Sequence, residues 1–571
     1  MSTLLSLAQW AHALRIEHVP DAILERLRYQ AASTLAAAAA GTRSDDVVPA
    51  VKQARRWGPG RLRVAPGIDN LGLDGALLAG ATLSMAQEFD DWLVCGQTSH
   101  SAVWAAWLGA AELGSNWDRT LTAQLAANEI LARIGGFCLG GRQNGPSWAF
   151  LHAVGGALVG GLLRGQTPEQ LASGMGLALA QAHHVDHSLL QGPGKAYAAS
   201  RALIEGWRTA ELVSDGLVGP IALLDADSEF ITVFTQGRPV RGWFAGLPAD
   251  DPAASAWFTS TLAIKCVPGC LYLTAAVEAM QALLVEAGQR LGKDLKVDDI
   301  LRVDVDCGAV TAAMERRVGK TDAITPASVT FSVRKALAVL LVAGELGPIQ
   351  LHQEWLDEHE ENIEAALAVV RLHQDARLTL APWQALRGTG VAKLLTELGP
   401  GPLVAAVGAG GTLEAGLSLT ELPLMMAGER LQNTPTEDLP ALFGRGLSRL
   451  TEVAARGLER LLPAPTPYPA GAPTLDAEAL LETRVAFPAR VRVLLHGGQV
   501  LHSEVEVPRG ASADPETREA VRRKLWDALL LAEPQTEARH ADLVHALLGA
   551  ANAQGAPPPL PDGGPAALVG S

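Results

Sequence analysis

The stretch AFLHAVGGALVGGLLRGQTPEQLASGMGLALAQ, residues 149–181, decides the fold class. Apolar residues recur at three- and four-residue spacing on both sides of Gly165, the pattern of two helices with buried faces. Gly165 stands where the first helix should stop. Thr167-Pro168-Glu169-Gln170 then opens the second, with a threonine cap, proline in the first turn and acceptors behind it. Small residues crowd Ala153–Gly161, which lets helices approach closely. The same periodicity runs through Ile23–Ala40, Leu73–Ala86, Ala102–Leu113, Thr120–Ile134 and Ala196–Ser214. Residues 1–262 are therefore expected to form one large all-helical domain.

The character changes near Lys265. Asp299–Asp306 alternates apolar and polar residues in part, as a strand does, and Arg377–Leu380 reads as another. Thr330–Leu341 reads as a helix between them. Arg490–Leu495 and Val500–Val507 flank Gly497-Gly498, the pattern of a hairpin, and Pro515–Leu531 follows as an amphipathic helix. A smaller α+β lid domain is expected from 263–382 and 480–535. A helical insertion with glycine-rich breaks interrupts it at 383–479. A last helix and a Pro/Gly-rich tail, expected to be disordered, complete 536–571. The fold class is thus mainly α, with a smaller α+β unit.

Composition narrows the function. The 571 residues suffice for roughly three or four domains on a length prior of about 150 residues each. With 48% hydrophobic and 19% charged residues, the chain can bury a large core. A net charge of −15 without a Lys/Arg-rich run speaks against nucleic-acid binding. Five dispersed cysteines fit a reduced compartment. Cys266 and Cys270 have no second cysteine pair with which to complete a zinc site. The N-terminus lacks a basic segment followed by a long apolar one, and the most apolar run, Ala31–Gly41, is too short to span a bilayer. A cytoplasmic protein without membrane association is expected.

Several segments carry a resemblance. They are Leu7–Ala11 with Arg26-Leu27-Arg28 and the alanine-rich run to Gly41; Phe89-Asp90-Asp91 followed by Ser99-His100-Ser101; Arg142–Arg164; and Thr167–Gln181. Lys195 followed by Gly216–Pro220, Lys265 through Cys270 and Tyr272, Phe331-Ser332-Val333 and the terminal hairpin continue the series. In order and spacing these resemble the MmgE/PrpD family of 2-methylcitrate dehydratases and cis-aconitate decarboxylases, over about 1–350 and 480–535. The resemblance implies a helical domain with an α+β lid, a homodimer, and an active site between the domains. It also implies elimination of water or loss of CO2 from small di- or tricarboxylates, with no cofactor and no metal.

Such chemistry needs cations to hold carboxylates, a base, and an acid. Asp90 precedes His100 by ten residues, so a carboxylate that orients an imidazole and raises its pKa gives an acid/base pair. The bland alternative is a loop-capping acidic pair beside a helix-start histidine. Lys195, after Gly192-Pro193-Gly194, is the candidate carboxylate clamp, and matching the family's lysine favours that over a solvated side chain. Lys265 has the same two readings. Asp91, Tyr197 and Cys270 complete the candidate substrate-binding set.

Three positions depart from the family's pattern. Gly145, Ala198 and Leu271 stand where it has two histidines and an arginine. None of the three side chains transfers a proton, which points to a substrate other than the common tricarboxylates. His183, His184, Asp186 and His187 cluster at a helix end, where His184 or His187 is a candidate replacement acid/base. A metal site there lacks a distant third ligand, and histidines satisfied at a helix end are the plain alternative. His152, on an apolar helix, reads as packing. No serine-hydrolase elbow or phosphate-binding loop is present. The reading is a cofactor-independent, dehydratase- or decarboxylase-type lyase acting on a carboxylate-bearing small molecule in biosynthesis. The alternatives are an isomerase or cyclase working through an enolate, and a non-catalytic binding or scaffold protein on the same fold.

Overall fold

The computed structural model describes residues 2–391 and 475–569, apart from 97–98, 142–148, 184, 186–188, 190–191, 226–227, 238, 293, 319–322, 513 and 550–563. The protein is mainly α-helical, with one four-stranded sheet. The helices that matter for the site are α1 (Asp21–Gly41), α2 (Leu73–Met85), α3 (Trp117–Phe137), α4 (Phe150–Arg164), α5 (Tyr197–Ser214), α6 (Leu271–Leu291), α7 (Val333–Ala343) and α8 (Thr517–Ala532). Thr167 caps the helix after α4, accepting from the Gln170 amide while the Gln170 side chain accepts from Thr167. Gly165 takes the left-handed conformation that ends α4.

Small residues set the helix spacing. A Cβ on Gly206 of α5 would lie 1.9 Å from the Ala153 carbonyl oxygen of α4, and one on Gly156 of α4 only 2.6 Å from that of Leu203. Only hydrogen at both positions lets the two helices touch backbone to backbone. One apolar core gathers α1 to α5 and buries Leu27, Leu77, Ile130, Val154 and Leu203. Helix α8 belongs to it as well: read from sequence with the smaller unit, it buries Val521, Leu525 and Leu529 in this core and packs on α1.

A second core lies between the sheet and the helices α6 and α7. Asp91–Trp92 (β1) and Ala263–Ile264 (β2) form a separate two-stranded pair. The sheet itself comprises β3 (Ile300–Cys307), β4 (Val370–Gln374), β5 (Ala489–Leu495) and β6 (Val500–Val505), in the order β4-β3-β5-β6. β3 pairs parallel with β4 and antiparallel with β5, with Val303 opposite both Val370 and Val493. Alternation puts Val303, Val305, Val491 and Val493 in the core, while Asp304, Asp306, Arg490 and Arg492 face the other side. Helix Leu271–Arg290 is long and apolar enough to cross a bilayer, but 61% of it is buried within the protein, as a core helix is.

Two expectations need correction. Arg377–Leu380 is not a strand but part of a helix, Ala376–Ala385. The Asp375 carboxylate accepts from the amides of Arg377 (2.7 Å) and Leu378 (3.2 Å), and this N-cap overrides the local alternation. The strand lies just before, at Val370–Gln374. Of the C-terminal tail, residues 566–569 form a short helix, and the Val569 carbonyl accepts from the Arg63 amide at 2.9 Å. The insertion expected over 383–479 lies mostly outside the described residues, and the helix Ala477–Glu482 leads out of it.

A buried ion pair fixes the approach to β2. Arg133 and Glu129 of α3 are wholly buried and 2.6 Å apart. Glu129 also accepts from the amides of Phe258 (2.9 Å) and Thr259 (2.7 Å), and Arg133 donates to the Ala256 carbonyl at 2.7 Å. Replacing Arg133 with Met strands a buried carboxylate and should cost about 3–5 kcal/mol. Denaturant unfolding of the variant measures it, and a loss under about 1 kcal/mol would mean that the pair is dispensable.

Candidate functional site

The site begins with backbone. β1 pairs antiparallel with β2, Asp91 opposite Ile264 and Trp92 opposite Ala263. This brings residues 88–90, which follow α2, alongside Lys265, whose amide donates to the Asp90 carbonyl at 3.3 Å. Glu88 sits in the left-handed region at φ +50°, an uncommon conformation for a residue with a side chain. The Gly269 amide donates to the carbonyls of Gln87 and Glu88, both at 3.1 Å, and holds the turn.

Four charged side chains meet there, all of them buried or nearly so. The Glu88 carboxylate lies 2.6 Å from the Lys195 Nζ and 2.8 Å from the Lys265 Nζ, and Lys265 also reaches Asp90 at 2.7 Å. Lys195 further donates to the Met85 carbonyl at 3.3 Å and lies 4.7 Å from the centre of the Phe331 ring. Burial by itself would push both carboxyls up, but Lys195 and Lys265 hold Glu88, and Lys265 holds Asp90, below the usual carboxylate range. Burial likewise works against the Lys265 ammonium, yet Asp90 and Glu88 raise its pKa above the ordinary value. Glu88, Asp90 and Lys265 are thus ionised at neutral pH, with the Lys195 Nζ against Glu88.

The ionised Asp90 dictates the form of His100. Ser99 Oγ donates its single proton to Asp90 at 2.8 Å and lies 3.3 Å from His100 Nδ1. With that proton committed to the carboxylate, Ser99 can only accept from the imidazole, so the proton of His100 resides on Nδ1. Nε2 then carries the lone pair, and among the described residues it is buried without a partner. His100 opens a π-helical turn, His100–Ala105, a feature found often at functional sites. His152 of α4 stands edge-on to His100, with ring centres 4.8 Å apart, and neither of its nitrogens has a partner among the described residues. Burial lowers the pKa of His100 and, more strongly, of His152. Sequence reasoning expected Asp90 to raise the His100 pKa. The carboxylate does act in that direction, but burial outweighs it.

The comparison with known families bears on these same residues. The model of the MmgE/PrpD N-terminal domain matches residues 5–242. Two curated relatives, the cis-aconitate decarboxylases of Aspergillus terreus and of its strain NIH 2624 / FGSC A1156, are each 26% identical over 291 residues. The match takes in 48% of this chain, which spans 59% of the length of those relatives.

The segment similar to the MmgE/PrpD N-terminal domain contains Glu88, Asp90, Ser99, His100, His152 and Lys195, while Lys265 lies beyond it. Of the residues expected from sequence, Asp90, His100, Lys195 and Lys265 converge. Cys270 caps α6 close enough to feel Glu88 and Lys265, and burial pushes its thiol up to about 12. Asp91 points the other way along β1, towards Gln30 of α1; burial and the neighbouring Asp90 push it up to about 8, so it is protonated and uncharged at neutral pH. Tyr197 is 51% exposed at the start of α5, outside the ion cluster. His184 and His187 lie outside the described residues, and among those described no group of three His, Cys, Asp or Glu is placed to hold a metal.

Glu88 and His152 were not identified as site residues from sequence. Glu88 stands two positions before Asp90, so its proximity was legible. His152 was hidden because the apolar periodicity of its helix reads as core, and the turn that aims it at His100 is tertiary.

Proposed function

We propose that this protein is a lyase that removes a proton from the carbon next to a carboxylate of a small organic acid, with His100 as the base. The observation that carries this reading is His100 Nε2, buried without a partner among the described residues, with the ring proton placed on Nδ1 through Ser99 by an ionised Asp90. Lys195 and Lys265 supply the positive charge for the substrate carboxylate and for the enolate that forms as the proton leaves. In a dehydratase the electron pair released from C–H forms the double bond, and a hydroxyl on the adjacent carbon departs with its C–O electrons. That hydroxyl takes the proton that His100 Nε2 has received and leaves as water, which returns His100 to its neutral form. An isomerase or cyclase uses the same enolate without losing a group.

Decarboxylation is the second reading, favoured by the name of the Aspergillus relatives. It breaks the C–C bond first and then requires a proton donor, which a neutral His100 protonated on Nδ1 does not offer from Nε2. The geometry therefore supports proton abstraction over proton donation as the first step. A non-catalytic scaffold leaves unexplained two buried imidazoles with nitrogens unpartnered among the described residues.

Product analysis by proton NMR, with a panel of 2-hydroxy and unsaturated di- and tricarboxylates, tests the reading. Consumption of one acid with formation of an alkene is expected; a panel left untouched by folded protein would refute it. Lys195→Met should raise KM roughly tenfold to a hundredfold with a smaller change in kcat, since a charge-assisted carboxylate contact acts in ground and transition states alike. An unchanged KM would remove Lys195 from substrate binding.

A further inference from the structure

A third lysine reaches this region from the far end of the chain. Lys524, on α8, is buried, and its Nζ lies within hydrogen-bond reach of four acceptors that share its protons: Ser33 Oγ (2.7 Å) and the carbonyls of Lys265 (2.8 Å), Asp90 (3.3 Å) and Phe89. The ammonium also lies 4.0 Å from the centre of the Phe89 ring. Ser33, on α1, donates in turn to the Asp90 carbonyl at 2.7 Å. Nothing in the ion cluster or in the His100 relay uses the Lys524 charge. Its acceptors are instead the backbone of the two segments that carry Asp90 and Lys265.

We propose that Lys524 is a positioning residue for catalysis, its Nζ clamping the Phe89–Asp90 and Lys265 backbones together and so setting the Asp90–Ser99–His100 relay. The proposal rests on the lyase reading for its effect on turnover, but not for its effect on His100. Three carbonyl oxygens from two separate segments, those of Phe89, Asp90 and Lys265, converge on one Nζ, and a donor with several protons reconciles them even though burial pushes the Lys524 pKa down to about 7. β1 and β2 are two residues long each and cannot fix this register by their own ladder. Helix α8 is anchored independently by Val521, Leu525 and Leu529 in the helical core, so it presents the ammonium from a rigid base. If the clamp is lost, Asp90 shifts relative to Ser99, and the tautomer lock on His100 loosens.

The test compares wild type, Lys524→Met and Ser33→Ala as full-length proteins. Imidazole nitrogen NMR of histidine-labelled protein reads the His100 tautomer, assigned with His100→Gln, and steady-state kinetics reads turnover of the acid found in the panel. Circular dichroism establishes that each variant is folded. Lys524→Met keeps the buried stem and should stay folded, lose the single Nδ1-protonated signal of His100, and drop in kcat about tenfold to a hundredfold with KM within threefold. Ser33→Ala should move both readouts the same way by less. A folded Lys524→Met with an unchanged His100 signal and kcat within twofold of wild type overturns the proposal. Should Lys524→Met not fold, Ser33→Ala decides, and an unchanged His100 signal there overturns it as well. If wild type turns over no acid, the lyase reading fails, and the His100 signal alone decides the role of Lys524.

Discussion

Replacing His100 with Gln should lower turnover by roughly 10²–10⁴-fold, the usual contribution of a positioned base, with little change in KM or in thermal stability. Glutamine keeps much of the volume, and His100 Nε2 has no partner among the described residues to leave behind. The pH profile of the wild type gives an independent check. A base works in its deprotonated form, and burial lowers the His100 pKa below its ordinary 6.5. Activity should therefore rise with pH along a limb centred below 6.5 and be flat at neutrality. A limb centred well above 6.5 would mean that His100 rests protonated, which favours the donor role of a decarboxylase.

Removal of Lys265 should strongly lower stability. Lys265 bridges Glu88 and Asp90 from a nearly solvent-free position, so Lys265→Met leaves two buried carboxylates to share Lys195. The expected cost is about 3–5 kcal/mol at neutral pH, the range for breaking a buried pair by removing one partner. The sign of its pH dependence follows from the carboxylates. In the wild type both are held below the ordinary carboxylate range, so their stabilisation is present above that range and is lost only as pH falls through their depressed values. Without Lys265 they titrate higher, and the folded variant takes up protons sooner. The difference between wild type and variant should thus shrink as pH falls from 7 towards 4. A difference that is constant with pH would assign the loss to packing instead.

How much of this was legible in the sequence depended on the range of the interaction. The helix that starts after Thr167, the stop at Gly165 and the hairpin around Gly497-Gly498 are set by residues within a few positions, and the structure has them there. The strand expected at Arg377–Leu380 failed because one side chain, Asp375, caps a helix that alternation alone cannot reveal. In the candidate site, Asp90, His100, Lys195 and Lys265 were singled out by the order of short motifs, and how they sit together required three dimensions. Asp90 is hydrogen-bonded towards His100 through Ser99, and Asp91, its neighbour in sequence, faces the opposite side of its strand. Lys524 lies 434 residues from Asp90, and no local pattern marks it.

The most direct test of the central claim is hydrogen exchange at carbon. Wild-type protein is incubated in D2O with each acid of the panel, and proton NMR follows the signal of the hydrogen next to the carboxylate. A base at His100 Nε2 predicts that this hydrogen is replaced by deuterium, or lost with product formation, in at least one acid, and that His100→Gln abolishes the change. Product formation without exchange and at an undiminished rate in His100→Gln would contradict the account.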